Sequence, residues 1–320
     1  MQTQTRRIEG SDGISLHLST WTPEDLSNVR GVIQLLHGQG EYSDRYRHMG
    51  EYLTDKGFVV YADDHRGHGL TVFEQPKGAR EEHCIPGHMA DEDGWQKAMA
   101  DQGIIHRLIR DEYPDKHLTI IGHSMGSFML QDLLIEDSSR WDAAVLLGSA
   151  GGAVSFDQRI LRQIIRLQYA VKGGRAPATW TDYLIMQSFS REVKVEKYHS
   201  EWLSHDPEVY IPADSDPLMD FMVSARHWLD FSKFVVSRTN PKNIAKVRND
   251  LPIWIASGTA DPISKKGAAT EALAMSYKEA GLTDVTKKLY EGMRHELQNE
   301  IIKEQFFDDL HDWLSARVPA

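Results

Sequence analysis

The chain has 320 residues, and Lys+Arg 36 against Asp+Glu 47 gives a formal net charge of −11. That excess of acid argues against a nucleic-acid partner, which a protein meets with basic surface. Hydrophobic residues at 41% and charged residues at 26% are ordinary for a soluble globular protein; no apolar run approaches membrane-spanning length, and the lone Cys84 excludes an intrachain disulfide and suits a reducing compartment.

Residues 1–10 lack the apolar core of a signal peptide, so a cytoplasmic location is expected. Residues 6–34 read as strands, with Ile14, Leu16 and Leu18 alternating after the Asp12-Gly13 turn, and residues 32–36 form a compact apolar run. His37-Gly38-Gln39-Gly40-Glu41 follows. Glycines just past a buried strand let the backbone turn with its N–H groups exposed, as an oxyanion site requires. Residues 46–56 read as a helix closed by Gly57, and residues 58–62 as the next strand. This strand ends in Asp63-Asp64-His65-Arg66-Gly67-His68-Gly69. Aspartates and histidines so close could serve a metal, but Arg66 among them would repel a cation, so a hydrogen-bonded turn is expected and no metal is assigned. Residues 91–112 fit an amphipathic helix, with Trp95, Met99, Ile105 and Leu108 among its apolar positions.

The stretch 117–128 organises the rest. Leu118-Thr119-Ile120-Ile121 has the look of a buried strand, Gly122-His123-Ser124-Met125-Gly126 follows at once, and a helix-like segment runs to about residue 136. A G-x-S-x-G pattern between strand and helix sets a serine on a sharp turn, its hydroxyl projecting from the sheet and a helix N-terminus behind it. The flanking glycines leave room for so tight a turn. With the His37 segment alongside, the backbone N–H groups of Gln39 and Met125 are the expected oxyanion donors.

Residues 143–147 form another buried strand, leading into Gly148-Ser149-Ala150-Gly151-Gly152. From about 153 to 247 the alternation of strands and helices stops. Large apolar residues such as Trp180, Trp202, Phe221, Trp228 and Phe231 accumulate, and Pro177, Pro207, Pro212 and Pro217 separate short helical pieces. The expected organisation is an α/β core, residues 1–152 and 248–320, interrupted by a mainly helical cap, residues 153–247, that contributes to an apolar acyl pocket. Within the cap, Arg159, Arg162 and Arg166 fall near one helix face, opposite Ile160, Ile164 and Leu167, with Lys172 and Arg175 just beyond. That face reads either as plain solvated charge or as a peripheral membrane contact, meeting anionic lipid headgroups or a substrate phosphate.

Alternation resumes with a strand at 251–256, followed by Ser257-Gly258-Thr259-Ala260-Asp261-Pro262, a helix at 266–280 and a last strand at 285–290. Glu291-Gly292-Met293-Arg294-His295-Glu296 then precedes a C-terminal helix through Trp313. Asp261 and His295 each lie just past a strand, as Ser124 does. In an open parallel sheet those strand ends share one edge, where ligands bind. The order Ser124, Asp261, His295 is that of an α/β-hydrolase triad. His295 would take the Ser124 proton and later pass it to the leaving group, while Asp261 holds the imidazole tautomer.

Through His37-Gly38-Gln39-Gly40-Glu41-Tyr42-Ser43-Asp44-Arg45-Tyr46, Asp64-His65-Arg66-Gly67-His68-Gly69, Gly122-His123-Ser124-Met125-Gly126-Ser127, Gly258-Thr259-Ala260-Asp261-Pro262 and Arg294-His295-Glu296, the chain resembles the α/β-hydrolase superfamily. Within it the likeness is to the monoacylglycerol lipase and lysophospholipase group. Residues 91–95 and 206–226 look similar to bacterial lysophospholipases, and Tyr42 stands where many members have histidine. The resemblance implies an α/β-hydrolase fold, a mostly parallel central sheet flanked by helices. It also implies cleavage of carboxylic esters of lipids (a monoacylglycerol or lysophospholipid) without a cofactor, through an acyl-Ser124 intermediate. A general carboxylesterase for short acyl chains, a peptidase and a non-catalytic ligand cage on the same fold are the other readings. A dehalogenase is disfavoured, because that chemistry wants a carboxylate where Ser124 stands.

Overall fold

The most apolar runs of the chain become the middle of one eight-stranded sheet. The computed structural model of the protein describes residues 1–151, 156–195, 197–219 and 221–318. Its strands are β1 (Gln2–Glu9), β2 (Ser15–Thr22), β3 (Gly31–Leu36), β4 (Phe58–Asp64), β5 (His117–His123), β6 (Ala143–Leu147), β7 (Ile253–Gly258) and β8 (Val285–Tyr290). They lie in the order β1-β2-β4-β3-β5-β6-β7-β8. β2 runs antiparallel to both β1 and β4, and every other pairing is parallel. β3, β4, β6 and β7 are buried along their whole length, as a parallel sheet covered on both faces must be. This is the α/β-hydrolase architecture that the resemblance implied.

Two cores cover those faces. On one, α1 (Arg47–Asp55) and the C-terminal α11 (Lys303–Ser315) bury Met49, Leu53, Phe306 and Leu310 with Trp21 and Trp254. On the other, α3 (Gly94–Glu112), α4 (Met125–Asp137) and α10 (Ala268–Glu279) bury Trp95, Met129, Leu133 and Leu273. α4 is buried over most of its surface, as its near-continuous apolar sequence requires. A short α2 (Gly69–Phe73) follows the turn after β4.

Between β6 and β7 the described residues add no strand to the sheet. The insertion consists of α5 (Phe156–Lys172), α6 (Thr179–Val193), a 3-10 turn at His199–Trp202, α7 (Pro207–Ala213), α8 (Ala225–Arg238) and α9 (Pro241–Ile244). Each short helix has its own start signal. Asp206, Ser224 and Asn240 accept hydrogen bonds from the backbone of Glu208, His227 and Lys242, and Pro207 and Pro241 occupy first-turn positions. Pro212, expected as a break, lies inside α7. The expected domain border at 152/153 falls on residues outside those described.

The apolar residues read as lying opposite the arginines of α5 are not all buried. Ile165 and Gln168 point inward, whereas Ile160 and Leu167 are 45% and 57% exposed. The cause is polar: the Gln168 amide donates to the Pro177 carbonyl oxygen and accepts from the Thr181 backbone and hydroxyl, which fixes that side of the helix against α6. Ile160 and Leu167 therefore share the outer surface with Arg159 and Arg166.

Candidate active site

β5, β7 and β8 end on one edge of the sheet, and the three residues expected to form a triad lie just past them. Ser124, between β5 and α4, has φ 51° and ψ −118°. A left-handed φ at a non-glycine residue costs about 1–3 kcal/mol, so the surroundings must impose it. The Ser124 N–H donates to the Leu147 carbonyl oxygen at 2.9 Å, and the Ser124 carbonyl accepts from the Ser127 N–H (2.9 Å) and hydroxyl (2.6 Å). A side chain at position 126 would collide with the carbonyl oxygens of Leu36 and His37, so only glycine permits this approach. The same contact sets the segment after β3 against the serine turn.

His295 and Asp261 are both buried, with Asp261 Oδ2 3.1 Å from His295 Nδ1. The pair is at hydrogen-bonding distance but off the straight line of a good hydrogen bond. Asp261 is held from two further sides, by the Ser257 hydroxyl (3.0 Å) and the Ile263 N–H (2.8 Å). Burial opposes charge on both groups, and their mutual attraction outweighs it. The Asp261 carboxyl is held below its ordinary value, and the His295 imidazole above its own. His295 packs on the ring of His123, the residue before Ser124, with centroids 4.7 Å apart. Its Nε2 is buried without a hydrogen-bond partner among the described residues. No Ser124–His295 hydrogen bond is formed in this resting state; such bonds commonly tighten only when substrate binds.

The segment after β3 is shaped by its own side chains. His37 accepts the His65 N–H at Nε2 (2.9 Å), leaving Nδ1 as the donor to the Gly38 carbonyl oxygen (2.7 Å). Burial pushes this imidazole down to about 3, so it stays neutral. The backbone N–H groups of Gln39 and Met125, the expected oxyanion donors, have no acceptor among the described residues. The Asp63–Gly69 turn is tied together by hydrogen bonds, as expected: His65 and Gln102 hold Asp63, and Arg66 reaches Asp101 at 2.7 Å and Asp12.

Sequence reasoning missed a buried ion network behind the site. Arg45 grips Glu296 with both terminal guanidinium nitrogens (2.6 and 2.8 Å) and reaches Glu41 at 2.7 Å. Glu41 also accepts from the Gly38 N–H (2.5 Å) and the Tyr46 hydroxyl (2.7 Å), and lies 3.0 Å from His123 Nδ1. One carboxylate thus ties together the segment after β3, the residue before Ser124 and, through Arg45, the residue after His295. Glu41 lies in the loop four residues before Arg45, which belongs to the 3-10 turn Ser43–Tyr46. Their partner Glu296, 251 residues from Arg45, was not visible in the sequence.

The insertion closes over this edge. Trp202 packs on His295, His227 Nε2 lies 3.1 Å from the Gln39 side-chain oxygen, and the Tyr42 hydroxyl donates to Asp216. Away from the site, Asp12, Glu82 and His83, and likewise Glu82, His88 and Asp91, bring ligand-type atoms together. Arg66, Arg80 and Lys97 already lie on Asp12, and Arg175 on Asp91, so side-chain cations supply the counter-charge there.

Known proteins share this fold. Residues 27–302 match the model of the Hydrolase_4 family, described as serine aminopeptidase, S33. The chain is 24% identical over 312 residues to a monoacylglycerol lipase of Mycolicibacterium smegmatis, covering 97% of this chain and 96% of that one. It is 24% identical to a monoglyceride lipase of Rattus norvegicus, covering 97% and 90%. Among solved structures, a carboxyl esterase from Bacillus coagulans superposes over the full length of both chains with a TM-score of 0.86 at 24% identity. A monoglyceride lipase from Saccharomyces cerevisiae superposes over 100% of this chain and 96% of that one, with a TM-score of 0.72 at 18% identity. The protein belongs to the Hydrolase_4 family (serine aminopeptidase, S33), on the α/β-hydrolase fold.

Proposed function

We propose that the protein is a serine hydrolase that cleaves carboxylic esters of lipids, of the monoacylglycerol or lysophospholipid class. Ser124 is the nucleophile, His295 the general base and Asp261 the residue that orients it. The observation that carries this reading is a serine at φ 51° on a strand-to-helix turn, one residue from a histidine ring packed on His295, which itself lies 3.1 Å from Asp261. Ser124 Oγ attacks the ester carbonyl as its proton passes to His295 Nε2. The oxyanion is met by the unengaged N–H groups of Gln39 and Met125 at the start of α4. His295 then gives the proton to the leaving alkoxide, and water repeats the sequence on the acyl-enzyme. The named activities of the lipase and esterase relatives support an ester substrate.

The surface of α5 and α6 supports a peripheral contact with lipid. Leu167, Val171 and Tyr183 are more than half exposed, with Arg159, Arg166 and Lys172 beside them. Apolar side chains flanked by cations are what an interfacial helix presents to anionic headgroups. Among the described residues no helix is long and apolar enough to cross a membrane. Exposed, unpaired Cys84 supports a reducing compartment, and the cytoplasm is the proposed location.

The test is a panel of monoacylglycerols, lysophospholipids, short p-nitrophenyl esters and aminoacyl amides, run with Ser124→Ala in parallel. The variant is expected to lose at least about a thousand-fold in ester turnover while its thermal unfolding is kept. Full ester activity in Ser124→Ala would overturn the assignment, and a preference for the amides would overturn the substrate class.

A further inference from the structure

We propose that Trp202, supplied by the insertion, is a positioning residue for His295: its indole fixes the plane of the imidazole and favours the cation that forms when Ser124 gives up its proton. The proposal rests on the assignment of His295 as the base.

The need for such a residue comes from the His295 surroundings. Asp261 meets Nδ1 at 3.1 Å but off its line, so packing has to help that contact hold the plane of the ring. His123 lies on one side with centroids 4.7 Å apart, and Trp202 packs on the ring with centroids 4.8 Å apart and planes 31° from parallel. Gly148 closes an edge, where a Cβ would stand 2.8 Å from His295 Cε1. Phe189 of α6 packs in turn on Trp202 at 4.8 Å.

Trp202 is also fastened to the stretch that carries His295. Arg294 donates to the carbonyl oxygens of Glu201 (2.6 Å) and Ser204 (2.9 Å), and the Glu296 N–H donates to that of Leu203 (2.8 Å). Ser204 Oγ donates to the Asn299 carbonyl oxygen (2.8 Å), and the His205 ring nitrogen Nδ1 reaches Glu300 at 2.8 Å. The residues on either side of His295 thus hold the residues on either side of Trp202, which keeps the two rings against each other. An indole face attracts an imidazolium more than a neutral imidazole, because the ring quadrupole presents negative charge to it. Trp202 therefore acts on the step in which His295 becomes charged.

The test compares Trp202→Leu, which keeps apolar cover over the ring, with Trp202→Phe, which also keeps an aromatic face. The charged and titratable groups facing His295 are Asp261, Glu296, Glu41 and His123, and all four remain in both variants. His295 must be neutral to accept the Ser124 proton, so kcat/KM falls as pH drops through its pKa. In Trp202→Leu, kcat is expected to fall about tenfold with KM little changed, and the acid limb of kcat/KM to move to lower pH. Trp202→Phe restores both. Wild-type kcat and acid limb in Trp202→Leu overturn the proposal, as does equal impairment in the two variants, which would mean that only volume matters. If the leucine variant does not fold, Trp202→Met gives the same comparison. Ser124→Ala and His295→Asn are run alongside: if they stay active, the triad assignment has failed, whereas their inactivity beside an unaffected Trp202→Leu sinks this proposal alone.

Discussion

Two parts of the insertion behave differently. Residues 201–205 are fastened to the segment around His295 by backbone and side-chain hydrogen bonds, several of them donated by Arg294 or accepted by Glu300. The pair α5 and α6 is tied together through Gln168 and Thr181 and meets Trp202 and Trp228 through Phe189 and Asp182, but turns Leu167, Val171 and Tyr183 outward. A segment inserted between two strands thus serves two purposes. Its second half shares the rigidity of the sheet edge and stands against the reacting groups; its first half gives up apolar surface to the outside, where a lipid substrate would arrive.

The largest expected effect comes from the core side of that contrast. Arg45→Ala leaves Glu41 and Glu296 buried without their cation, which should cost about 3–5 kcal/mol of stability, measured by urea unfolding. The buried carboxylates sit next to Gly38, His123 and His295, so activity should fall with stability. A smaller loss would mean that the sheet edge is held chiefly by packing.

Arg294→Ala removes the charged donor to Glu201 and Ser204 and should cost about 1.5–3 kcal/mol. The sharper readout is hydrogen exchange: amides of 199–206 should exchange faster while those of α5 and α6 keep their protection. Equal acceleration across both halves would show that the insertion opens as one body, and the contrast would be gone. The smallest effect on stability is expected for Leu167→Asn combined with Val171→Asn, within about 0.5 kcal/mol of the parent because both side chains already face water. Flotation with anionic vesicles should nevertheless weaken clearly, and unchanged flotation would return this surface to ordinary solvated helix.

The sheet was legible because its strands are short apolar runs bounded by glycines and charges. β6 and β8 have the limits that the sequence suggested, and α3 differs at one end for a local reason. Asp91 is engaged by Arg175 and His88, and Asp93 takes a left-handed φ of 51°, so the helix starts at Gly94. β1 extends back to Gln2 although it carries glutamine, threonine and arginine, because an edge strand facing water shows little apolar alternation. Ser124, Asp261 and His295 were legible because each follows a strand that could be read. Trp202 was visible only as one aromatic residue among many. Its partner lies 93 positions away, and no periodicity links an insertion to the loop it touches. The inner face of α5 could not be read for a related reason: it is set by a buried glutamine, Gln168, with partners on the next helix.

The left-handed backbone at position 124 restricts what evolution can place there. A branched β-carbon is strongly disfavoured at such a φ, so threonine, the other aliphatic hydroxyl, is barred however suitable its oxygen. Cysteine, unbranched and close in size, fits the same turn. The bend that aims the reactive oxygen therefore also determines which chemistries descendants of this chain can explore without rebuilding the strand before it.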